Sequence, residues 1–179
     1  MKNYISILRG INVSGQKKIK MADLKKHIEN LGYEQVSTYI QSGNILFESE
    51  VTDISLLETS IADMIKKEYE FEVPVLVLEK ETLQNVVADN PFLSDPNIDI
   101  DKLHVTFLAK KPVPEKVAAL KELDFGDDQF QVVGKCVYLY CPNGYGRTKL
   151  TNNFFENKLK VIATTRNWKT VNNLLEMVE

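Results

Sequence analysis

Two stretches carry the residue types most able to do chemistry. The first, "LRGINVSGQKKIKM" at residues 8–21, follows an apolar run and precedes a helix-like run. It holds Gly10, Gly15, Arg9, Lys17, Lys18 and Lys20. Glycines let a backbone approach a ligand closely, and successive amides can form an anion nest. The stretch is not a P-loop. Gly10 and Gly15 have the Walker spacing, but Gln16 stands where the phosphate-reaching lysine belongs and Lys17 where the Mg²⁺-binding hydroxyl belongs. What survives is a basic loop able to hold an anion, with Arg9, Asn12, Lys17 and Lys18 as its candidate contacts. The opposing reading is an exposed loop whose glycines serve only turn geometry. The second stretch, "NGYGRTKLTNN" followed by "TTRNWKT", places Arg147, Lys149, Arg166 and Asn167 where loops feed helices. Helix N-termini attract anions, and an arginine fork pairs with phosphate or carboxylate. The opposing reading makes Thr148 and Asn167 simple caps and Arg166 a structural ion-pair partner.

A third string, "TYIQSGN", offers Gln41 and Asn44 beside Gly43. Gly43 and Asn44 suit turn conformations, and Tyr39, Gln41 and Asn44 could read a polar ligand.

Positive charge is concentrated at two of these places. The chain has 179 residues and a net charge of −3. Residues 1–30 hold seven Lys/Arg against two acids, and residues 135–170 hold seven against Glu156 alone, whereas residues 50–130 hold 18 acids against eight lysines. If both basic blocks fold onto one side, they make an electropositive face.

Other chemistries find little to work with. His27 and His104 have no partner at metal-ligand spacing, and Cys136 and Cys141 are not C-x-x-C. No metal and no cofactor is expected. There is no G-x-S-x-G elbow, and Asp127 and Asp128 read as solvated surface. No catalytic residue is identifiable, so whether the protein is an enzyme stays open. Cys136 and Cys141 fall on one predicted strand, roughly 16 Å apart, too far to bridge. No apolar run approaches the ~20 residues of a membrane span, and the N-terminus is too short a match for a signal peptide. A cytoplasmic protein is the expectation.

The elements that must position these residues alternate. A strand is predicted at about 3–8 and a helix at 21–31, ended by Gly32. Two strands follow, "VSTYI" and "NILFE", joined by the hairpin signal "QSGN". A helix at 53–69 follows, with Ser55 and Glu58 as a capping box and Asp53 as the rival cap. A strand at 73–78 and a helix at 80–89 complete a β-α-β-β-α-β order, the ferredoxin-like arrangement. "NPFLSDPNIDID" reads as a linker. The second half repeats the scheme: strand "LHVTFLA", helix "PEKVAALKEL", strands "QFQVV" and "CVYLYC" around Gly134, a helix at 149–159 and a last helix at 168–178 capped by Asn167. The expected class is therefore α+β: two ferredoxin-like (βαββα-type) subdomains, a structural duplication, at residues 1–90 and 91–179.

The strings "LRGINVSG", "TYIQSGN", "GRTKL" and "TTRNWKT", with the Met21-x-x-Leu24 pair, together resemble domain-of-unknown-function family 1697. That resemblance implies an α+β fold of two ferredoxin-like halves and implies no activity. Ser14 and Thr148 stand where the family often has glycine and serine. The expected partner is a phosphorylated small molecule or a single-stranded nucleic acid. The alternatives are an enzyme or sensor for a phosphorylated or carboxylated metabolite, and a protein-interaction module without a ligand. The RNA-binding string K/R-G-F/Y-G/A-F-V-x-F/Y is absent from "SGNILFES". Oligomeric state is not legible.

Overall fold

In the computed structural model, which describes residues 1–179, two four-stranded antiparallel sheets form. The first is built from β1 (Lys2–Leu8), β2 (Glu34–Tyr39), β3 (Asn44–Ser49) and β4 (Val75–Glu79), in the order β2-β3-β1-β4. The second is built from β5 (Leu103–Leu108), β6 (Gln129–Val133), β7 (Cys136–Tyr140) and β8 (Ala163–Asn167), in the order β6-β7-β5-β8. Helices α1 (Met21–Asn30), α2 (Ile54–Tyr69) and α3 (Lys80–Ala88) belong to the first run of elements. Helices α4 (Pro114–Lys121), α5 (Asn152–Leu159) and α6 (Trp168–Val178) belong to the second. Both runs are β-α-β-β-α-β followed by a helix, so the duplicated ferredoxin-like arrangement is what folds. The chain divides into two compact units, residues 1–84 with 174–179, and residues 85–173.

In the first unit the alternation of β1 sends Tyr4 and Leu8 to the helix side. There they pack with Ile45 and Phe47 of β3, Leu24 and Ile28 of α1, and Leu57, Ile61 and Ile65 of α2. The cap of α2 is Asp53, whose Oδ1 accepts from the Ser55 and Leu56 amides at 2.9 and 3.4 Å. The capping box does not form. Glu58 instead reaches the sheet, where its Oε1 accepts from the Val77 amide at 3.0 Å. A carboxylate that finds a strand amide has no reason to turn back to its own helix start.

In the second unit Leu108, Val137, Leu139 and Cys141 face Leu120 of α4 and Phe155 and Leu159 of α5. Two features depart from expectation. Residues 163–167 form β8, an edge strand that the polar string "ATTRN" does not announce. Helix α5 starts only at Asn152, because Thr151 Oγ1 takes the Phe154 amide and fixes the first turn there. Asn167 does cap α6, its Oδ1 accepting from the Thr170 amide at 2.8 Å. The linker-like stretch is ordered by 3₁₀ turns at Pro91–Ser94 and Ile100–Lys102. Buried Phe92 there packs against Tyr140 with ring centroids 6.1 Å apart.

Candidate anion-binding site

The glycine-bearing basic stretch is a small arm braced by hydrogen bonds. Leu8 and Arg9 leave β1 with their amides donating to the carbonyls of Gly43 (2.8 Å) and Pro74 (3.1 Å). Residues 12–17 then form a miniature hairpin. Asn12 N–H donates to Lys17 O, Gln16 N–H donates to Val13 O, and Val13 bridges Gln16. The turn residues Ser14 and Gly15 have φ of 51° and 73°. Two successive left-handed residues are what a type I′ hairpin turn requires. The glycine spacing that resembles a Walker loop therefore serves a β-turn, and no helix start crowns it.

Asn12 holds the arm in place. Its Nδ2 donates to Ile19 O (3.0 Å) and Gln41 O (2.8 Å), and its Oδ1 accepts from the Ile19 amide (2.8 Å). Buried Ile11 and Ile19 pin the two ends of the arm, and residues 13–18 between them are exposed. The β2–β3 turn is the other half of the junction. Gly43, at φ 87°, lies so close that a Cβ would come within 2.8 Å of Leu8 Cβ and 2.7 Å of Ile11 Cδ1. Asn44 is fully buried, and its Nδ2 donates to Tyr39 O (3.0 Å) and Ser42 Oγ (3.1 Å). The strings "LRGINVSG" and "TYIQSGN" thus meet. The amide of Asn12 is committed to the loop and that of Asn44 to the turn. Gln41 is exposed and contributes its backbone carbonyl to the junction.

The arm's charges are of one sign. No acidic residue occurs from Arg9 to Ala22. Lys18 and Lys20 are exposed, Arg9 is half-buried, and Lys17 Nζ donates to Glu72 O at 2.6 Å while remaining exposed.

The second unit treats its basic residues differently. Arg147 sits in a 3₁₀ turn at Tyr145–Arg147, five residues before α5. Arg147 and Lys149 line an open groove of about 420 Å³ together with Asp127, Asp128, Asn143 and Phe125, and Asn143 Nδ2 donates to Asp127 Oδ2 at 3.2 Å. The groove is electrically mixed. Thr148 caps nothing helical: its Oγ1 accepts from the Leu150 amide at 3.1 Å.

Arg166 is not in a loop. It lies in β8 opposite Val105, is 8% exposed, and its Nη1 donates to Thr165 O at 3.0 Å. Burial pushes its guanidinium down to about 10. Asn167, next to it, spends its side chain on the α6 cap.

Burial also decides the remaining titratable groups. It pushes the Cys136 thiol up to about 12 and raises Cys141, a hydrogen bond with Thr148 offsetting part of the latter. Both are free buried thiols, protonated at neutral pH and so poor nucleophiles. His104 stacks on Tyr145 with centroids 4.5 Å apart, and burial holds it below its ordinary range.

The fold and this junction define a duplicated ferredoxin-like protein with a stapled basic arm after its first strand. The chain belongs to a family of proteins of unknown function, DUF1697, whose model matches residues 1–138. "GRTKL" and "TTRNWKT" lie beyond the matched residues. In fold the chain is similar to the conserved bacterial protein SP0830 from Streptococcus pneumoniae. The TM-score is 0.79 at 24% identity, over 99% of each chain. No curated protein matches the chain. No helix is long and apolar enough to cross a membrane.

Proposed function

We propose that this is a binding protein for a phosphate-bearing polyanion, engaged by the arm at residues 9–20. The carrying observation is that a segment without acidic residues, braced by the three side-chain hydrogen bonds of Asn12, exposes Lys18 and Lys17, the latter with its Nζ also donating to Glu72 O. Preorganisation lowers the entropic cost of binding. Small-metabolite sites enclose most of their ligand. An arm exposed along residues 13–18 suits an extended ligand better, such as a single-stranded nucleic acid. Arg9 and Lys20 extend the positive strip, and Gln41 borders it.

Fluorescence anisotropy with a labelled single-stranded oligonucleotide, titrated with salt, tests this reading. The wild type should bind at low salt with a steep log–log slope. The double variant Lys17→Ala/Lys18→Ala should flatten that slope by about 1.4, roughly 0.7 per lost phosphate contact on a single strand, while remaining folded with at most a small drop in melting temperature from the lost Lys17–Glu72 bond. Absence of binding at low salt, or a double variant indistinguishable from wild type, rejects it.

A second reading has its own support. The groove of Arg147, Lys149 and Asp128 suits a small ligand carrying a phosphate or carboxylate. Binding of a nucleotide with a shallow salt slope, lost in Arg147→Ala and kept in the arm variant, would favour it.

A further inference from the structure

Each sheet has two edge strands, and an exposed edge offers unpaired backbone N–H and C=O groups to any extended chain. Proteins blunt such edges with charge, proline or bulges. Three of the four edges here carry such a device. Strand β2 carries Glu34 and a bulge between Glu34 and Ser37, with Gln35 at φ 49°. Strand β4 follows Pro74 and ends at Glu79, which pairs with Lys2 at 3.2 Å. Strand β8 carries Arg166 and is tied to α5 through Thr165 Oγ1 donating to Asn152 Oδ1 at 2.7 Å.

Strand β6 has none of these. Its sequence, "QFQVV", is uncharged and free of proline. Its register with β7 runs without interruption from Gln129↔Tyr140 to Val133↔Cys136. Gln129, Gln131 and Val133 are exposed, Val133 at 44%. Beside the strand an open groove of about 540 Å³ is lined by Leu123, Phe125, Phe130 and Val132 together with Lys121, Asp124 and Asp128, so the surface past the edge mixes apolar and charged groups.

We propose that β6 is where a second copy of this chain docks, the two β6 strands pairing antiparallel about a two-fold axis to join the sheets edge to edge. The strand is complementary to itself. A two-fold centred on Gln131 uses all five residues and keeps each side chain on its own face. Gln131 then meets its own copy, Gln129 meets Val133, and Phe130 meets Val132. The last is an aromatic–β-branched pair on the helix side, repeated twice by symmetry. Charge agrees at the flanks. Just beyond the strand, where the chain turns away, one end carries Asp127 and Asp128 and the other Lys135, so antiparallel pairing brings the acidic end of one copy near the basic end of the other. No like charges oppose one another anywhere along the pairing. The neutrality of β6, a liability in a lone edge, is what isologous antiparallel pairing demands, since any charge at its centre would face itself.

That last property supplies the test. Sedimentation velocity across a concentration series should show the wild type dimerising reversibly. Gln131→Lys and Gln131→Glu, each alone, should weaken the dimer by at least about tenfold, since each sets like charges in direct opposition. At concentrations low enough for the wild type to be monomeric, their circular dichroism and melting should match it, because the position is exposed. An equimolar mixture of the two variants should restore a dimer, now heteromeric, as the opposed residues become Lys and Glu. A wild type that stays monomeric up to about 1 mM overturns the proposal. So does a dimer that either single variant leaves intact, which must be held elsewhere. Folded variants that stay monomeric when mixed also overturn it, because they show that residue 131 does not oppose itself.

Discussion

The two units share a topology and differ in where they spend their chain. Ladder registers align them strand by strand. Leu8 donates to Gly43 O where Leu108 donates to Lys135 O, and Arg9 donates to Pro74 O where Ala109 donates to Ile162 O. From those common points the units diverge. The first strand of unit one runs into residues 9–20, the stapled arm, whereas that of unit two reaches its helix through residues 109–113. The balance reverses after the third strand: residues 50–53 in unit one, 141–151 in unit two. The hairpin turns follow suit, residues 40–43 against 134–135. The longer turn of unit one folds back onto the arm, Gln41 O accepting from Asn12 Nδ2 and Gly43 lying against Leu8 and Ile11. Its counterpart Lys135 is an exposed residue with no such duty. A shared framework thus leaves each connection free to be used or minimised, and only unit one has built a braced projection.

This contrast is sharpest at the hairpin turns, where the largest effect is expected. Gly43→Ala must place a Cβ against Leu8 and Ile11 in a left-handed conformation, and should cost about 2–4 kcal/mol. Lys135→Ala, at the matching position, should change stability by no more than about 0.5 kcal/mol. Equal effects in urea denaturation would erase the distinction drawn between the turns.

A smaller effect is expected where β8 departs from β4. Val105 pairs with Arg166 where Ile5 pairs with Leu78. Arg166→Ala should destabilise the fold by about 1–3 kcal/mol, through lost packing of the stem and lost hydrogen bonding. Arg166→Leu should recover part of that loss. Full stability in the alanine variant would return Arg166 to the exposed, ligand-facing role that its position before a helix suggests.

The smallest effect concerns His104, which occupies the place of Tyr4. Burial lowers the folded-state pKa of His104 below its ordinary value of about 6.5. Between those two values the unfolded chain binds the proton and the folded chain does not. Stability from this residue is therefore present above pH 6.5 and declines as pH falls below it. Chemical denaturation at pH 7 and pH 5 should show this decline in wild type and a reduced one in His104→Phe. An unchanged pH dependence in the variant would remove His104 as its source.

Much of the architecture was legible because hydrophobic period and turn chemistry agreed. Leu24 and Ile28 at helical spacing, Gly32 after them and "QSGN" between apolar runs each name an element by local physics alone. Strand β8 escaped because "ATTRN" lacks an apolar alternation; its buried Arg166 breaks the pattern that reveals strands. The start of α5 was misplaced because Thr148 and Thr151 are equally good caps in sequence, and only the turn at Tyr145–Arg147 decides between them. Among the charged candidate contacts, Lys17, Lys18, Arg147 and Lys149 are exposed as their charge suggests, whereas Arg9 is half-buried and Arg166 buried. Polar residues were harder. An asparagine beside glycines reads equally as a ligand contact or a loop staple, and Asn12 and Asn44 are staples.

The sequence by itself determined the order of every element but β8, the duplication and the segregation of positive charge into two blocks, because propensity, periodicity and net charge are local properties. Tertiary structure alone decided that "LRGINVSG" and "TYIQSGN" form one junction, that Gly43 has no room for a side chain, and that Arg166 is buried. Each of these depends on segments far apart in the chain meeting at contact distance, and no single stretch of sequence encodes its own neighbour.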